Sequence, residues 1–226
     1  MASHHSTFDG SVHWFDDFMA DAEFQKVVDF ANAAAFTPSD EQNKELIWAQ
    51  NNRSSPYMSQ NIIWPEYEVH KRFFAAVPGV STFPSGSPLD HALKAIRDAS
   101  LETAIAGQLG TDWVGIISTL FRYDANGGLI FHTDATGYSG AFTYYLNREW
   151  KSDWGGHLMF SMDDPLNVTS GEFLSPQPNR LVLMRAGVPH SISTVATPAG
   201  IGRLALSGFY VRPDRIGQII KRYMSK

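Results

Sequence analysis

The sequence predicts an α+β protein that is mainly β, built as a double-sheet jelly roll or a barrel with helices packed outside one sheet. The composition of the chain changes after Gly110. Beyond this point, short segments rich in β-branched and aromatic residues are separated by Gly, Pro, Asn or Asp, which is typical of strands and turns. Many such strands in succession favour a jelly roll or a barrel. The predicted strands are 113–123, 129–134, 141–146, 157–161, 172–174, 180–184, 190–194 and 204–211.

The part of the chain before Gly110 is predicted to be rich in helices, which pack against one of the sheets. Apolar residues recur at mostly helical spacing over 12–35. They recur at mixed three- and four-residue spacing over 88–109, a segment that ends at a glycine, as many helices do. Further helices are predicted over 67–77 and, closing the chain, over 213–224.

A polar, turn-rich stretch over 51–60 separates two short predicted strands, 45–49 and 61–64. A strand, a mobile polar loop and a second strand are consistent with a lid over a binding site. An ordinary surface hairpin fits the same pattern. In the first interpretation, the side chains of this stretch are candidates for contact with a substrate.

Composition and charge indicate a globular protein with a single domain over 1–226. Of the 226 residues, 43% are hydrophobic and 18% are charged, which provides for one sizeable core. The predicted parts of this domain are a helix-rich support over 1–110, a strand-rich core over 111–212 and a C-terminal helix over 213–226. The net charge of −5 and the absence of a Lys/Arg run argue against a nucleic-acid partner.

Several other classes of protein are disfavoured by what the sequence lacks. Without cysteine, the chain has no disulfides, no thiol catalysis and no cysteine-based zinc or iron–sulfur site. The N-terminal residues show no basic segment followed by an apolar one, so no signal peptide is expected. No apolar run approaches the roughly 18 residues that a membrane span needs. We therefore expect a cytoplasmic protein without a membrane partner.

A histidine and an aspartate lie two positions apart in the second strand predicted after Gly110. Side chains at i and i+2 of a strand point to the same face, so His132 and Asp134 are expected side by side. One more histidine completes the two-His, one-carboxylate set that holds non-haem Fe(II) with open coordination positions. His190 is the candidate, because the second and seventh strands of a jelly roll can come together. A half-buried histidine bonded to backbone is the other interpretation.

Arg203 begins the last predicted strand, and the apolar residues that follow it indicate that its guanidinium points into a partly dry interior. A buried guanidinium needs an anionic partner, and its fixed fork of donors suits a carboxylate. Tyr123 and Tyr145, on neighbouring strands, are placed to donate hydrogen bonds to the same carboxylate. Alternatively, Arg203 pairs with one of the acids of the protein itself, and the tyrosines are ordinary core residues.

Seven short motifs follow one another in the strand-rich half of the chain. They are YDANGG from Tyr123, FHTD from Phe131, FTYYLNREW from Phe142, WGGHL from Trp154, NRLVLM from Asn179, PH from Pro189 and RLALSGFY from Arg203. In this order they resemble the Fe(II)/2-oxoglutarate-dependent dioxygenases, and the closest branch is the prolyl-hydroxylase-like one. Each motif is short, but the ordered set is specific. Before residue 110, only the helix-rich layout is similar to that family.

The resemblance implies a double-stranded β-helix, the jelly-roll fold of that family, with an iron site and a co-substrate site. The implied Fe(II) ligands are His132, Asp134 and His190. The implied anchor for the distal carboxylate of 2-oxoglutarate is Arg203, assisted by Tyr145 and Tyr123. Arg185 and Arg212 are the alternative anchors.

The reaction that the resemblance implies is hydroxylation of a C–H bond by O2, in which 2-oxoglutarate is released as succinate and CO2. Ascorbate is expected to support the iron. Related halogenases carry a small residue in place of the carboxylate ligand, so Asp134 favours hydroxylation over halogenation. Desaturation and ring closure stay open, because the placement of the substrate decides among them.

The expected substrate is a small molecule or an amino-acid-like compound, because the chain carries no added recognition domain. A prolyl or other peptidyl target is the alternative. Two further alternatives are a cupin-like metal enzyme or binding protein without 2-oxoglutarate, and an inactive oxygenase fold that serves as an interaction module. The candidate substrate contacts are Arg53, Tyr57, Tyr138, Trp150 and Trp154.

Overall fold

In the computed structural model of the chain, two β-sheets face each other, and two helices cover the outer side of the larger sheet. The structure describes residues 3–7, 9–38, 56–67, 71, 79–102, 109, 113–134, 137–198 and 200–218. Within these ranges, every helix is too short or too polar to span a membrane.

The first strands of the chain all belong to the larger sheet, and the later strands are divided between the two sheets. The larger sheet contains β1 (Ser3–Ser6), β2 (Val12–Asp16), β3 (Thr37–Pro38), β4 (Tyr57–Pro65), β5 (Val80–Thr82), β6 (Gly115–Tyr123), β8 (Tyr138–Tyr145), β11 (Leu181–Arg185) and β13 (Arg203–Val211). The smaller sheet contains β7 (Leu129–His132), β9 (Leu158–Phe160), β10 (Glu172–Leu174) and β12 (His190–Ile192). Within the described residues, helices span α1 (Asp21–Ala33) and α2 (Leu89–Glu102), and 3₁₀ turns span Ser152–Trp154 and Pro213–Arg215.

Strands that are distant in the sequence become neighbours in both sheets. The order in the larger sheet is β1-β2-β11-β8-β13-β6-β4-β3, with β5 parallel to β4, and the order in the smaller sheet is β10-β9-β12-β7. All other strand pairs are antiparallel. This interleaving places β7 directly beside β12, which is the pairing that brings His132 and His190 into register.

Side chains of the larger sheet alternate between a face covered by helices and a face turned to the smaller sheet. On the helix side, Tyr144 and Leu206 belong to a buried cluster with Val28 of α1 and Leu93 of α2. Burial of side chains of this size contributes about 1.5–3 kcal/mol each, so this cluster holds the helices on the sheet. On the inner side, Tyr145 belongs to a second cluster that includes residues of β9 and β10.

The strand register arranges the inward side chains in rows across β4, β6, β13 and β8. One of these rows is polar, and we call it the polar row: Asn61, Thr119, Ser207 and Thr143 lie in register with one another. The Thr119 hydroxyl donates a 2.6 Å hydrogen bond to the side chain of Asn61. The hydroxyls of Thr143 and Ser207 are 3.1 Å apart. The next row away from Arg203 is apolar and contains Phe209.

The jelly-roll prediction is confirmed, and each strand predicted after Gly110 is found with small shifts at its ends. The long helix predicted over 88–109 corresponds to α2, and residues 103–108 lie outside the described residues. The predicted closing helix over 213–224 begins with a 3₁₀ turn, and residues 219–226 lie outside the described residues as well.

The helix predicted over 12–35 is wrong in its first part. Val12–Asp16 form strand β2, which pairs with β1 and β11, and the helix begins only at Asp21. The aromatic residues of this segment fit helical spacing, but Val12 and Phe15 are buried by neighbouring strands of the larger sheet. Pairing between distant strands therefore overrides the local pattern.

The stretch over 51–60 is not a loop throughout. Strand β4 begins at Tyr57 and pairs with β6 along its length, so the backbone of the last residues of this stretch is fixed in the sheet. Residues 51–55 and the strand predicted over 45–49 lie outside the described residues. The same holds for most of the helix predicted over 67–77.

Asn179 links the N-terminal segment to the larger sheet, and its replacement is expected to destabilise the fold. Its side-chain oxygen accepts hydrogen bonds from the Tyr144 hydroxyl (2.7 Å) and the Met19 N–H (3.0 Å), and its amide nitrogen donates to the Met19 carbonyl. Its φ of 58° lies in the left-handed region that asparagine tolerates better than alanine. Asn179→Ala should lower the free energy of unfolding by about 2–4 kcal/mol, because buried partners lose their hydrogen bonds.

The measurement is urea unfolding of Asn179→Ala beside Gln177→Ala, a change two residues away. The Gln177 side chain makes one weak 3.3 Å hydrogen bond, to Ser175, so this control should stay within about 0.5 kcal/mol of the unmodified protein. Equal unfolding midpoints for the two variants would contradict the role of Asn179.

Candidate active site

Two imidazoles and one carboxylate meet at the edge of the smaller sheet. His132 ends β7, His190 begins β12, and the two residues are paired in the sheet. The Asp134 Oδ1 atom lies 3.9 Å from the Nε2 atom of each histidine. The potential ligand atoms all lie within 4.8 Å of one another, which is close enough for one metal ion to reach all three. This is the one such group of three or more found in the described part of the chain.

Backbone carbonyls orient both imidazoles. The Nδ1 atom of His132 is 2.8 Å from the Ile130 carbonyl oxygen, and the Nδ1 atom of His190 is 2.9 Å from that of Val188. A carbonyl only accepts, so each Nδ1 carries a proton, and each Nε2 faces the common centre beside Asp134. Such bonds fix the tautomer and the ring orientation of a metal-ligating histidine.

The environment of His132 keeps its ring neutral, as a metal ligand must be. Burial lowers the pKa of His132, and the neighbouring His190 lowers it further. The hydrogen bond to the Ile130 carbonyl and the charge of Asp134 oppose this shift without cancelling it. A neutral imidazole with a fixed tautomer can bind a metal ion without first losing a proton.

Asp134 reaches the site from beyond the strand. The sequence predicted that β7 continues through Asp134, but this strand ends at His132. The side-by-side arrangement expected for i and i+2 of a strand is therefore incorrect in detail. The carboxylate nevertheless lies at equal distance from both imidazoles, so the three residues form one group.

Arg203 is a buried cation whose terminal donors are not used by the protein. Its exposed fraction is 1%, and its Nε atom donates a 2.8 Å hydrogen bond to the Gly156 carbonyl. Within the described residues, Nη1 and Nη2 have no hydrogen-bond partner, although both are buried. A buried charge left in this state is costly, so the geometry calls for an anion from outside the chain.

Two tyrosines enclose this guanidinium. The central carbon of Arg203 lies 4.9 Å from the ring centre of Tyr145 and 5.4 Å from that of Tyr123. The Tyr145 hydroxyl is buried and has no partner among the described residues. Burial raises the pKa of Tyr145, and the nearby Arg203 offsets only part of that rise, so the hydroxyl stays protonated and can donate. Two adjacent buried residues thus retain three donors without a partner among the described residues, a set that fits a carboxylate.

The glycine at position 156 is required by this arrangement. A Cβ atom on Gly156 would lie 2.9 Å from Cδ of Arg203 and 3.2 Å from the Trp150 ring. The φ of 65° is also one that other residues adopt with strain. Glycine therefore allows the backbone carbonyl to approach the guanidinium and fix its direction.

Sequence reasoning assigned no role to two features of this site. Gly156 lies in the WGGHL motif but was not connected with Arg203, because the contact joins residues distant in the sequence. The polar row was missed as well, although polar residues at alternate positions of apolar strands could have revealed it. Thr119 in β6 and Ser207 in β13 are the clearest examples.

The predicted substrate contacts are distributed over the molecule rather than gathered at the triad. Tyr57 lies opposite Arg122 on the helix side of the larger sheet, and its ring stacks on that guanidinium at 4.8 Å. Trp154 is buried against Trp150 in the cluster around Tyr123, at the Arg203 end. The structure brings neither Tyr57 nor Trp154 to the triad.

Tyr138 is the predicted contact that lies on the inner side of the sheet, where its ring stacks on Phe209 at 4.5 Å. Arg53 lies outside the described residues. The two alternative anchors do not match the burial of Arg203. Arg185 is only half-buried at the end of β11, and Arg212 is exposed beside Asp214.

A jelly roll that directs two imidazoles and a carboxylate at one point can hold a metal ion with open coordination positions. Residues 118–211 match the profile of the 2OG-Fe(II) oxygenase superfamily. The ordered motifs of the chain resemble the same superfamily, whose members use Fe(II) and 2-oxoglutarate. A search of curated protein sequences found no match.

Solved structures of low sequence identity share the fold over nearly the whole chain. A prolyl-4-hydroxylase from Pseudomonas putida has a TM-score of 0.58 at 18% identity, covering 89% of this chain and 92% of its own. A prolyl hydroxylase from Trichoplax adhaerens, in complex with a hypoxia inducible factor peptide fragment, has a TM-score of 0.56 at 15% identity and covers 92% and 86%. A 2OG-Fe(II) oxygenase family oxidoreductase from Burkholderia pseudomallei has a TM-score of 0.56 at 14% identity and covers 89% and 85%.

Removal of the carboxylate from the triad is expected to weaken metal binding. Asp134→Ala should lower the affinity for Mn(II), a redox-stable stand-in for Fe(II), by more than about 100-fold, because loss of an outer partner alone costs 10–100-fold at such sites. The measurement is calorimetric titration of metal-free protein. Asp98→Ala, which removes a carboxylate from the surface of α2, should bind Mn(II) normally. Unchanged affinity in Asp134→Ala would remove this residue from the site.

Proposed function

We propose that the chain is an Fe(II)- and 2-oxoglutarate-dependent oxygenase that hydroxylates a C–H bond of a small-molecule or amino-acid-like substrate. The observation that carries this proposal is the buried guanidinium of Arg203, with two unused donors beside the unused hydroxyl of Tyr145. A dicarboxylate that reaches from these donors to a metal ion at the triad would use both the Arg203 donors and the Tyr145 hydroxyl. A protein that only binds metal would use neither of them.

In this proposal the triad would hold Fe(II), and the proposed ligands are Nε2 of His132, Oδ1 of Asp134 and Nε2 of His190. Together with 2-oxoglutarate and O2, the metal would supply the oxidising chemistry, in which one oxygen atom enters the substrate C–H bond and the other enters succinate as CO2 is released. The chain contributes the positions of the reactants. Ascorbate is proposed as a supporting reductant.

Arg203 and Tyr145 are the proposed partners of the distal carboxylate of 2-oxoglutarate. The bond from Nε to Gly156 leaves both Nη atoms of Arg203 for the ligand, so the fork of donors is fixed before binding. Tyr145, held protonated by burial, adds a third hydrogen bond. Tyr123 is proposed to cover the guanidinium and exclude water, since its ring lies 5.4 Å away. A preorganised site of this kind loses little entropy on binding.

The space for the substrate is proposed to lie beyond the polar row, on the side away from Arg203. There the inward residues of β4 and β6, Ile63 and Ile117, are buried, and Tyr138 and Phe209 are half-buried. An enclosed apolar wall suits a compact substrate more than an extended chain. The hydroxyls of the polar row are placed between the two compartments.

A peptidyl substrate is the second candidate. It is favoured by the similarity in fold to a prolyl hydroxylase that was solved with a bound peptide fragment. The two candidates differ in which compounds stimulate the release of succinate from 2-oxoglutarate. Free amino acids and small metabolites should stimulate it in the first case, and only proline-containing peptides in the second.

Replacement of Arg203 tests the proposed co-substrate site. Arg203→Met keeps the length of the side chain and removes the donors, so the apparent KM for 2-oxoglutarate should rise by about 100-fold or more, as expected for the loss of two charge-assisted hydrogen bonds. The affinity for Mn(II) should not change, because the triad is intact. The measurements are succinate release in air, with Fe(II) and ascorbate, and calorimetry with Mn(II).

Arg97→Met is the control for loss of a half-buried arginine away from this site, where the guanidinium pairs with Glu66. This variant should keep the normal requirement for 2-oxoglutarate, even if its stability falls. If Arg203→Met shows a normal requirement, the carboxylate of 2-oxoglutarate binds elsewhere.

A further inference from the structure

A second arginine with unused donors lies at the opposite end of the barrel from Arg203. The Nε atom of Arg215 is buried and has no hydrogen-bond partner in the described part of the chain. Its Nη1 atom donates to the side chain of Gln218, and no described residue pairs with Nη2. The nearest acid in sequence, Asp214, is placed beside Arg212 instead. Arg215 therefore presents one edge of its guanidinium, Nε and Nη2, without an acceptor.

The direction of this guanidinium is set by two neighbours. The stem of Arg215 lies against Gly137, where a Cβ atom would be 2.9 Å from Cδ and 3.1 Å from Cβ of the arginine. Its central carbon lies 5.3 Å from the ring centre of Tyr138. The Tyr138 ring in turn stacks on Phe209 at 4.5 Å, with 20° between the ring planes. Arginine, tyrosine and phenylalanine form a stack that leads from the barrel end to its inner wall.

Both ends of this stack are connected to the triad. Gly137, which supports the arginine, lies three positions after Asp134 in the sequence. Phe209 packs in the inner cluster that contains Phe160, and Phe160 is the direct sheet partner of His190. These links join the stack to the segments that carry Asp134 and His190, and Arg215 follows the end of β13 opposite to Arg203.

The surroundings of the stack define the chemistry of a ligand that would use it. Tyr138 is half-buried in an apolar cluster with the buried side chains of Ile63, Ile117 and Val211. The Nε–Nη2 edge of a guanidinium matches the two oxygens of a carboxylate, and a cation over an aromatic ring stays charged in a partly dry site. A ligand with a carboxylate and an apolar body fits both parts.

We propose that Arg215 binds a carboxylate of the substrate, so that the substrate is an apolar amino acid or another carboxylic acid with an apolar body. Tyr138 and Phe209 form the wall along which this body lies, and the carbon to be hydroxylated faces the triad. This inference rests on the proposed function, because it treats the far end of the barrel as the substrate compartment. It assigns Arg215 to the substrate and Arg203 to 2-oxoglutarate.

The test compares acids with their amides in binding to protein loaded with Mn(II) and 2-oxoglutarate under argon. The probes are L-leucine, L-norleucine, L-phenylalanine and 4-methylpentanoate, each beside its carboxamide. At least one acid should bind to the unmodified protein about 10–100-fold more tightly than its amide. In Arg215→Gln, the affinity for that acid should fall to the level of the amide, whereas the affinity for 2-oxoglutarate should be unchanged.

Two further variants distinguish a loss of carboxylate recognition from a loss of positive charge at position 215 and from a loss of the fold. Arg215→Lys keeps the charge but not the two-pronged edge, so its affinity for the acid should be intermediate. Arg148→Gln, which removes an exposed arginine paired with Asp29, should behave like the unmodified protein. Succinate release in air, measured with the same compounds, should rank the variants in the same order.

Three results would overturn the assignment: equal binding of acid and amide, no binding of any acid, or tight binding of the acid by Arg215→Gln. Each of these can occur in a protein that binds 2-oxoglutarate normally, and the proposed function then stands without the inference. Failure of the unmodified protein to bind 2-oxoglutarate at all would instead contradict the proposed function itself.

Discussion

The buried positive charge of Arg203 is the constraint around which the barrel is built. The strand that it begins runs through the centre of the larger sheet, so its guanidinium cannot turn to solvent. The chain satisfies only Nε, through the carbonyl of Gly156, and surrounds the rest with the rings of Tyr123 and Tyr145. An unpaired buried charge lowers the stability of the ligand-free protein, and a bound dianion would recover that stability. Under the proposed function, fold stability and co-substrate binding would be linked at Arg203.

The interior of the barrel changes in polarity from one end to the other. The row at Arg203 is cationic and aromatic, and the polar row carries hydroxyls and an amide. The row of Phe209 is apolar, and beyond it lies the free edge of Arg215. Because register fixes each row, the order of these environments follows from strand pairing. Such an arrangement suits two anionic ligands that enter different ends of one space and meet at the triad.

Local sequence patterns were sufficient for the strands after Gly110, the three members of the triad and the buried arginine. Segments rich in β-branched and aromatic residues between turn residues mark strands independently of their partners, and an H-x-D with a late histidine in such a strand pattern favours a metal site. Long-range contacts account for what was missed. Strand β2 exists because β11 pairs with it, and the contact of Gly156 with Arg203 joins separate loops. Arg215 meets Tyr138 only after the sheet has formed, so no spacing in the sequence could indicate their contact.

We propose that one dicarboxylate would contact both Arg203 and a metal ion held by the triad. A crystal structure of the protein with Mn(II) and 2-oxoglutarate, prepared without oxygen, tests it most directly. We expect the metal on His132, Asp134 and His190, and the distal carboxylate within hydrogen-bond distance of both Nη atoms of Arg203. A structure in which an acid of the chain itself pairs with Arg203 while 2-oxoglutarate binds elsewhere would contradict the account.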